Sequence, residues 1–391
     1  MSSSWPHSRS RRASIVAQFG ETRAELVERA LTTGDPLADA VVEEIHAGGR
    51  PVRIALAAGI RNGLASLDDP PPAVAALLAQ AESRPDYADD ALLDAGCRPY
   101  FSAHPAAHAI SLSAGALIRV YDSPSIAGVL TATGRLVDAA ERRLQETGTW
   151  VNSAMLPGGM RPGAHGYIAT LQVRMLHAHM RRFTRAHGYD EAAFGVPINQ
   201  VDLARTWMDF TITSYNAEES LGFGRTPSEI AEVYKYWWYV AHVLGIDARL
   251  VEGISSHDQA ARVDAMLQAV TGPPGPDSAE LAEATLSAIG GVLNEIISIP
   301  KVAAMQALYA LTRRFHGHDL GDELRLPRGA AADALLSPGI AAIRHHRSRL
   351  RTDPAAWERE HEKGITAARE LLADKSEQTA YEHQAEPATV S

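Results

Sequence analysis

The residues of this 391-residue chain that could carry chemistry are its 16 histidines, one cysteine and the arginines set among apolar residues. In GRLVDAAERRLQETGTWV, Arg143 and Thr147 are four apart and share a helical face with Leu136, Ala140 and Val151. An arginine on an otherwise apolar stripe needs an anionic or polar partner. Further on, in GYIATLQVRMLHAHMRRF, His177 shares a face with Thr170, Val173 and Thr184. His179 falls about 200° away around the helix, so the two histidines do not chelate one metal. His177, on the more apolar face, suits a lone axial ligand. Spacing alone favours a structural reading, with a buried histidine hydrogen-bonded to a neighbouring helix and an arginine paired with an acid.

Other constellations are weaker. His104 and His108 have the i,i+4 spacing of a helical chelate, but Pro105 pushes His104 out of helical geometry. His316, His318, His345 and His346 lie in polar settings and read as solvated surface. Cys97, in LDAGCRPYF, lacks the glycine-framed loop of a cytochrome P450 thiolate and reads as a small core or surface residue. Gly222 and Gly224 in LGFGRT follow a helix rather than a strand, so no dinucleotide loop is expected, and no serine nucleophile elbow appears. A helix-bundle di-metal oxidase needs paired Glu-x-x-His ligands on two helices. In the charged C-terminal region Glu358 with His361 has that spacing, whereas Glu382 immediately precedes His383.

The elements that must position these residues read as helix after helix. Apolar residues recur at spacings of three and four from Pro36 onward, bounded by proline, glycine or a capping residue. The pattern predicts helices over about Ala38 to Ala47, Arg135 to Val151, His165 to His187, Asn199 to Ser220, Pro227 to Leu244, Ala279 to Phe315 and Ala330 to Leu350. Thr226, Pro227 and Glu229 form a capping box, and Asn199 with Asp202 does something similar. Strand alternation is scarce, so the expected fold is all-α. None of the Pro- and Gly-rich loops is long enough for an interdomain linker. One large helical domain over residues 35–373 is expected, preceded by an N-terminal extension (1–34) and followed by a disordered tail (374–391) too poor in apolar residues to pack.

Charge and composition exclude several classes. Thirty-seven Lys and Arg against 47 Asp and Glu give a net charge of −10, which repels a phosphate backbone, so nucleic acid is not an expected partner. One cysteine excludes an intramolecular disulfide framework and any cysteine-rich metal site. Arg11 and Arg12 are not followed by the apolar segment that an export signal needs, and no window reaches the roughly 18 uncharged apolar residues of a membrane helix. A cytoplasmic chain is expected.

Taken in order, these segments resemble the MpaB-type oxygenase family, which includes the latex-clearing proteins that cleave rubber. The resemblance rests on Gly134 to Leu136, Arg143 with Thr147, the PGG turn at Pro157 to Gly159, Gly166 with Tyr167, and VRMLHAHMR at Val173 to Arg181. It continues through GVPINQVDL at Gly195 to Leu203 and WWYVAHVLGID at Trp237 to Asp247. It covers about Asp35 to Asp247 well, and the last third of the chain only by its helical character. It implies a helical fold enclosing a b-type haem, with His177 as proximal iron ligand and Arg143 and Thr147 in the haem pocket. Arg143 would neutralise a haem propionate, and Arg174, one turn before His177, is a second candidate for that role.

The sequence also departs from the latex-clearing pattern. The distal lysine expected just before the threonine is here Glu146, and a distal glutamate would fall near Ala127, in a stretch without an acid. Glu146 is the candidate acid or base on the distal helix, with Arg143 and Thr147 beside it. The resemblance implies a haem-dependent oxygenase using O₂ on an apolar, unsaturated or isoprenoid small molecule, by C=C cleavage or oxygen insertion. The missing export signal points away from rubber itself. The alternative is a haem-binding carrier or sensor without a competent distal side.

Overall fold

Proline in the first turn opens helix after helix, its fixed φ suited to a position where the missing N–H costs nothing. It does so in α3 (Pro36–Gly48), α4 (Arg50–Asn62), α5 (Pro72–Glu82), α7 (Pro105–Ile110), α15 (Pro227–Leu244) and α18 (Pro276–Ile297). The computed structural model describes residues 5–131, 140–328 and 330–375, and every regular element among them is helical. Before α3 come α1 (Arg12–Phe19) and α2 (Glu21–Leu31). Around α7 lie α6 (Asp90–Ala95), α8 (Ile118–Tyr121) and α9 (Pro124–Thr131). The central pair is α10 (Ala140–Met155) and α11 (His165–Ala186). Then follow α12 (Glu191–Phe194), α13 (Gln200–Met208), α14 (Ser214–Ser220), α16 (Ala248–Val251) and α17 (His257–Thr271), and finally α19 (Lys301–His316), α20 (His318–Glu323), α21 (Ala330–Leu350) and α22 (Pro354–Lys375).

The expected long helix from Ala279 to Phe315 is two helices, because Ser298 turns left-handed at φ 55° and Pro300 cannot continue the ladder. The stretch from Asn199 to Ser220 is continuous but widens into a π turn at Asp209–Thr213, and a second π turn, Ser111–Leu117, joins α7 to α8. Both capping predictions hold at Thr226 and Asn199. Residues 5–34 pack on the rest: Ile15, Ala24, Val27 and Leu31 enter the largest apolar cluster, and Arg9 reaches Asp202 at 2.8 Å, both side chains buried. Gly134 to Leu136 and the tail beyond residue 375 lie outside the described residues.

Two apolar clusters meet at α10. Its second half (Trp150, Val151, Ala154, Met155) belongs to the main core with α11, α13 and α15, whereas Leu144 packs on the α18–α19 cluster around Leu286, Ile289 and Leu308. The turn from α10 to α11 is stitched down by backbone bonds from Gly158 N–H to the Leu93 carbonyl and from Cys97 N–H to the Met155 carbonyl, each 2.9 Å. Here the PGG and GY motifs acquire a physical reason. A Cβ on Gly159 would lie 2.2 Å from the Ser153 carbonyl oxygen, and one on Gly166 would lie 2.5 Å from that oxygen and 2.6 Å from the Gly159 carbonyl. These neighbours are backbone and cannot swing away. Gly166→Ala should therefore cost about 1–3 kcal/mol and splay the hairpin, read as a lower urea midpoint. An unchanged midpoint would mean that the hairpin yields without loss.

The core also holds an ionic cluster with unequal charges. Arg119 meets Asp209 at 3.0 Å and Asp264 at 2.5 Å; Arg205 pairs with Asp122 and lies 3.9 Å from Asp209. Three carboxylates thus face two guanidiniums, and the excess falls on Asp209, which is fully buried with no hydrogen bond to Oδ2. Burial pushes its pKa up to about 7 against the pull of Arg119 and Arg205. Because the folded value exceeds the unfolded one, Asp209 takes up a proton on folding between pH ~4 and ~7. Its contribution is full below that window and declines as pH rises through it. Asp209→Asn, neutral throughout, should flatten this fall and be more stable than wild type at pH 8, by at most about 4 kcal/mol from linkage. Parallel melting curves of both proteins from pH 5 to pH 8 would refute this assignment.

Candidate active site

Helices α10 and α11 run antiparallel, and two side-chain bonds fix their register. The Trp150 indole donates to the Thr170 hydroxyl at 3.0 Å, and Ser153 Oγ meets His165 Nδ1 at 3.1 Å. Two helical turns, seven residues, lead from Trp150 back to Arg143 and from Thr170 forward to His177. Arg143 and His177 therefore sit at one level on the facing sides of neighbouring helices, with Thr147 one turn nearer the Trp150 bridge. Sequence reasoning grouped these residues only by face within each helix; the register between helices brings them together.

His177 is half-buried, and neither ring nitrogen has a hydrogen-bond partner among the described residues. Unlike Nε2 of His108 and both nitrogens of His361, its nitrogens are not sealed by packing. Desolvation first, then the charge of Arg181, lowers its pKa to about 4, with Asp35 opposing. The imidazole is thus neutral at physiological pH with a lone pair to give. Val173 and Met180, half-buried on the same side of α11, supply an apolar surround.

Arg143 is half-buried and makes no ion pair or hydrogen bond among the described residues. The guanidiniums of Arg119, Arg174, Arg181, Arg205 and Arg225 are all paired with carboxylates. Thr147 likewise makes no hydrogen bond among the described residues. Thr170, Thr184 and Thr211 return their hydroxyls to the carbonyl four residues back, whereas Thr147 makes no such bond. The structural expectation for His177 and Arg143, a hydrogen bond and an acidic partner, is not what the described residues display.

The remaining candidates lie elsewhere. Arg174 is corrected from a propionate ligand to a brace: Nε and Nη2 clasp Asp35 at 2.6 and 3.1 Å, and Nη1 donates to Gln80 Oε1 and the Val243 carbonyl. Its charge is neutralised, and its pairing residues stand 139, 94 and 69 positions away, beyond any local motif. Glu146 lies against the exposed Arg142, 2.7 Å away on the side of α10. Ala127, where a distal glutamate was sought, is buried.

Among the other histidines, His104 is an N-cap outside helical geometry, as Pro105 requires, and His345 and His346 are exposed. His316 is corrected from solvated surface: it packs beside the first π turn with Nε2 3.0 Å from the Ala114 carbonyl, and burial lowers its pKa to about 4. Cys97 is a core residue whose pKa burial pushes up to about 12. His361 Nδ1 is 3.6 Å from Glu358, and no cluster of three or more metal-binding side chains occurs among the described residues.

Sequence reasoning missed Trp150. Its position seven residues after Arg143, on the same face, was the available signal. Trp150 closes the inner end of the hairpin together with Phe210 and Trp237, whose ring centroids lie 5.6 and 6.3 Å from it.

Residues 52–345 match the family model described as the catalytic domain of ER-bound oxygenase mpaB/B′ and rubber oxygenase. The match extends into the C-terminal third, which the motifs had reached only by helical character. The fold is similar to the solved structure of latex clearing protein LCP in the closed state, with a TM-score of 0.63 over 88% of this chain and 91% of that one. At 17% identity that likeness is one of fold. No curated protein matches the chain. No helix among the described residues is long and apolar enough to cross a membrane. With about three quarters of its length matched by the family model, the chain belongs to the mpaB/rubber oxygenase catalytic-domain family, a family of oxygenases.

Proposed function

We propose that this chain is a haem b-dependent oxygenase that uses O₂ to cleave or oxygenate a carbon–carbon double bond in an apolar, isoprenoid-like small molecule. The observation that carries the reading is a neutral imidazole at the level of a guanidinium and a hydroxyl on the facing helix, none of the three with a hydrogen-bond or ion-pair partner among the described residues. These donors fit haem b: His177 offers one nitrogen ligand, and Arg143 offers a charge for a propionate. When bound, the haem supplies the oxygen activation. His177 holds the cofactor, and Thr147 offers a hydrogen bond into the space between the helices. The Trp150, Phe210 and Trp237 wall keeps the inner end dry, which strengthens every polar interaction there. An acid or base role for Glu146 requires it to leave Arg142, and Glu146→Gln with unchanged O₂ reactivity would remove it from the chemistry.

A second reading, a haem-binding carrier or sensor, is favoured by Ala127 and by the Glu146–Arg142 pair, which together leave the distal side without a free carboxyl of known role. Absorption spectra of the purified protein, as isolated, after dithionite and with carbon monoxide, test both. A Soret band that moves to that of a histidine-ligated ferrous carbonyl is expected, and O₂ consumption with a polyene then separates oxygenase from carrier. A featureless spectrum after haem reconstitution would overturn both. Arg143→Ala should weaken haem retention on a desalting column by roughly tenfold or more, as losing a charge-assisted contact of ~1.5–3 kcal/mol requires. Full retention would make Arg143 dispensable for binding.

A further inference from the structure

Behind Trp150 the aromatic side chains continue in a line that haem binding does not use. Trp237 lies 6.3 Å from Trp150 between ring centroids, and its carbonyl accepts the Trp207 indole N–H at 3.0 Å. The Trp207 ring stands 5.9 Å from that of Tyr234, and the Tyr234 hydroxyl meets His257 Nδ1 at 2.9 Å. Trp150, Trp237, Trp207 and Tyr234 are all buried, whereas His257 is half-buried at the start of α17 beside the exposed Asp258. The line thus leads from the helix that carries Arg143 and Thr147 out to the surface.

Indoles and phenols give up a single electron more readily than other side chains, and a buried phenol does so only if its proton can leave as well. That requirement singles out one tyrosine. Tyr215 accepts from the Trp237 indole at 2.7 Å and lies under the Arg225 guanidinium, 4.6 Å from its ring centroid, a positive charge that opposes oxidation. Tyr236 donates to the Ala154 carbonyl, a poor base, and the Tyr239 hydroxyl has no hydrogen-bond partner among the described residues. Tyr309 does meet a carboxylate, Glu283, but it belongs to the separate α18–α19 cluster. Among the described residues Tyr234 alone joins this line to an imidazole through its hydroxyl, and burial lowers the pKa of His257, so its ring is neutral and able to accept.

We propose that Trp150, Trp237, Trp207 and Tyr234 form a one-electron relay from the site between α10 and α11 to the surface, ending in a neutral tyrosyl radical at Tyr234 whose proton is held by His257. The relay rests on the haem reading, because its oxidant is haem oxidised by a peroxide. One electron passes from Tyr234 through the three indoles to that oxidant. The Tyr234 O–H bond breaks, and the proton forms an N–H bond at His257 Nδ1, leaving a phenoxyl radical and an imidazolium. Such a path drains an oxidising equivalent that finds no substrate before it attacks the residues around His177.

The test is hydrogen peroxide added to the haem-loaded full chain, freeze-quenched for electron paramagnetic resonance, with the Soret band recorded on the same sample. A tyrosyl signal with the g-tensor of a hydrogen-bonded phenoxyl is expected, lost in Tyr234→Phe and diminished in Trp207→Phe. A tyrosyl signal that survives Tyr234→Phe, or a Soret band that responds to peroxide without any protein radical, overturns the relay and leaves the haem reading standing. The absence of a Soret band overturns the haem reading and the relay with it. Should Tyr234→Phe fail to fold, His257→Gln keeps the phenol and its packing but removes the base. A shifted g-tensor is then expected, and an unchanged one overturns the assignment.

Discussion

His177→Ala is expected to yield a folded protein that no longer retains haem. The side chain makes no hydrogen bond within the described residues, so its removal orphans no donor or acceptor, and the stability change should be that of an ordinary half-buried truncation, about 1 kcal/mol. Haem, in contrast, would lose the protein ligand proposed for its iron. The Soret band should fall to the level of non-specific binding in His177→Ala while the helical circular dichroism stays unchanged. Added imidazole should restore part of it, because the truncation leaves a space of that shape. The pH dependence follows from the lowered pKa: folding favours the neutral ring, so wild-type apoprotein loses stability as pH falls from ~6.5 towards ~4, and His177→Ala should not show that loss. Full haem content with an unchanged Soret band in the variant would sink the axial assignment.

The grouping of residues behind that proposal was legible in the sequence for a specific reason. The helical faces of α10 and α11 are written in local spacing, and Arg143, Thr147, Thr170 and His177 obey it. The capping boxes and the prolines at helix starts are local as well, which is why the all-α reading and many boundaries follow from the chain. What local spacing does not encode is which charge meets which. Arg174 and Arg143 look alike as arginines near His177, yet Asp35, 139 residues before Arg174, claims one and no described residue claims the other. The same holds for His316, polar in its own segment but lodged against Ala114, 202 residues away. The break at Ser298 was written locally, in Pro300, but apolar periodicity on both sides masked it.

The largest stability effect is expected at Arg225, in a buried cluster that no local motif announces. Its Nη1 meets Glu218 at 2.6 Å, and Glu218 also binds His108 Nδ1 at 2.7 Å and the Ser111 hydroxyl at 3.1 Å. Tyr100 stacks on His108 at 3.9 Å between ring centroids, and the Arg225 side chain is almost wholly out of water. Burial alone would raise the Glu218 pKa, but Arg225 and His108 overcome it and hold the carboxyl near 2. Arg225→Met leaves that carboxylate buried with only His108 and the Ser111 hydroxyl against it and no guanidinium, which should cost about 3–5 kcal/mol. Replacing both partners, Arg225→Met with Glu218→Leu, removes the orphaned charge, so the double variant should be more stable than Arg225→Met alone, a coupling that urea titrations of the four proteins measure. The pH arm carries its own sign. A folded pKa below the unfolded one stabilises above pH ~4.5, and that contribution is lost as pH falls from there to ~2. Wild type should show this acid loss and the double variant should not. Simple additivity in urea, with identical acid transitions, would mean that the cluster is held by packing around Tyr100 and Tyr215 rather than by its charges.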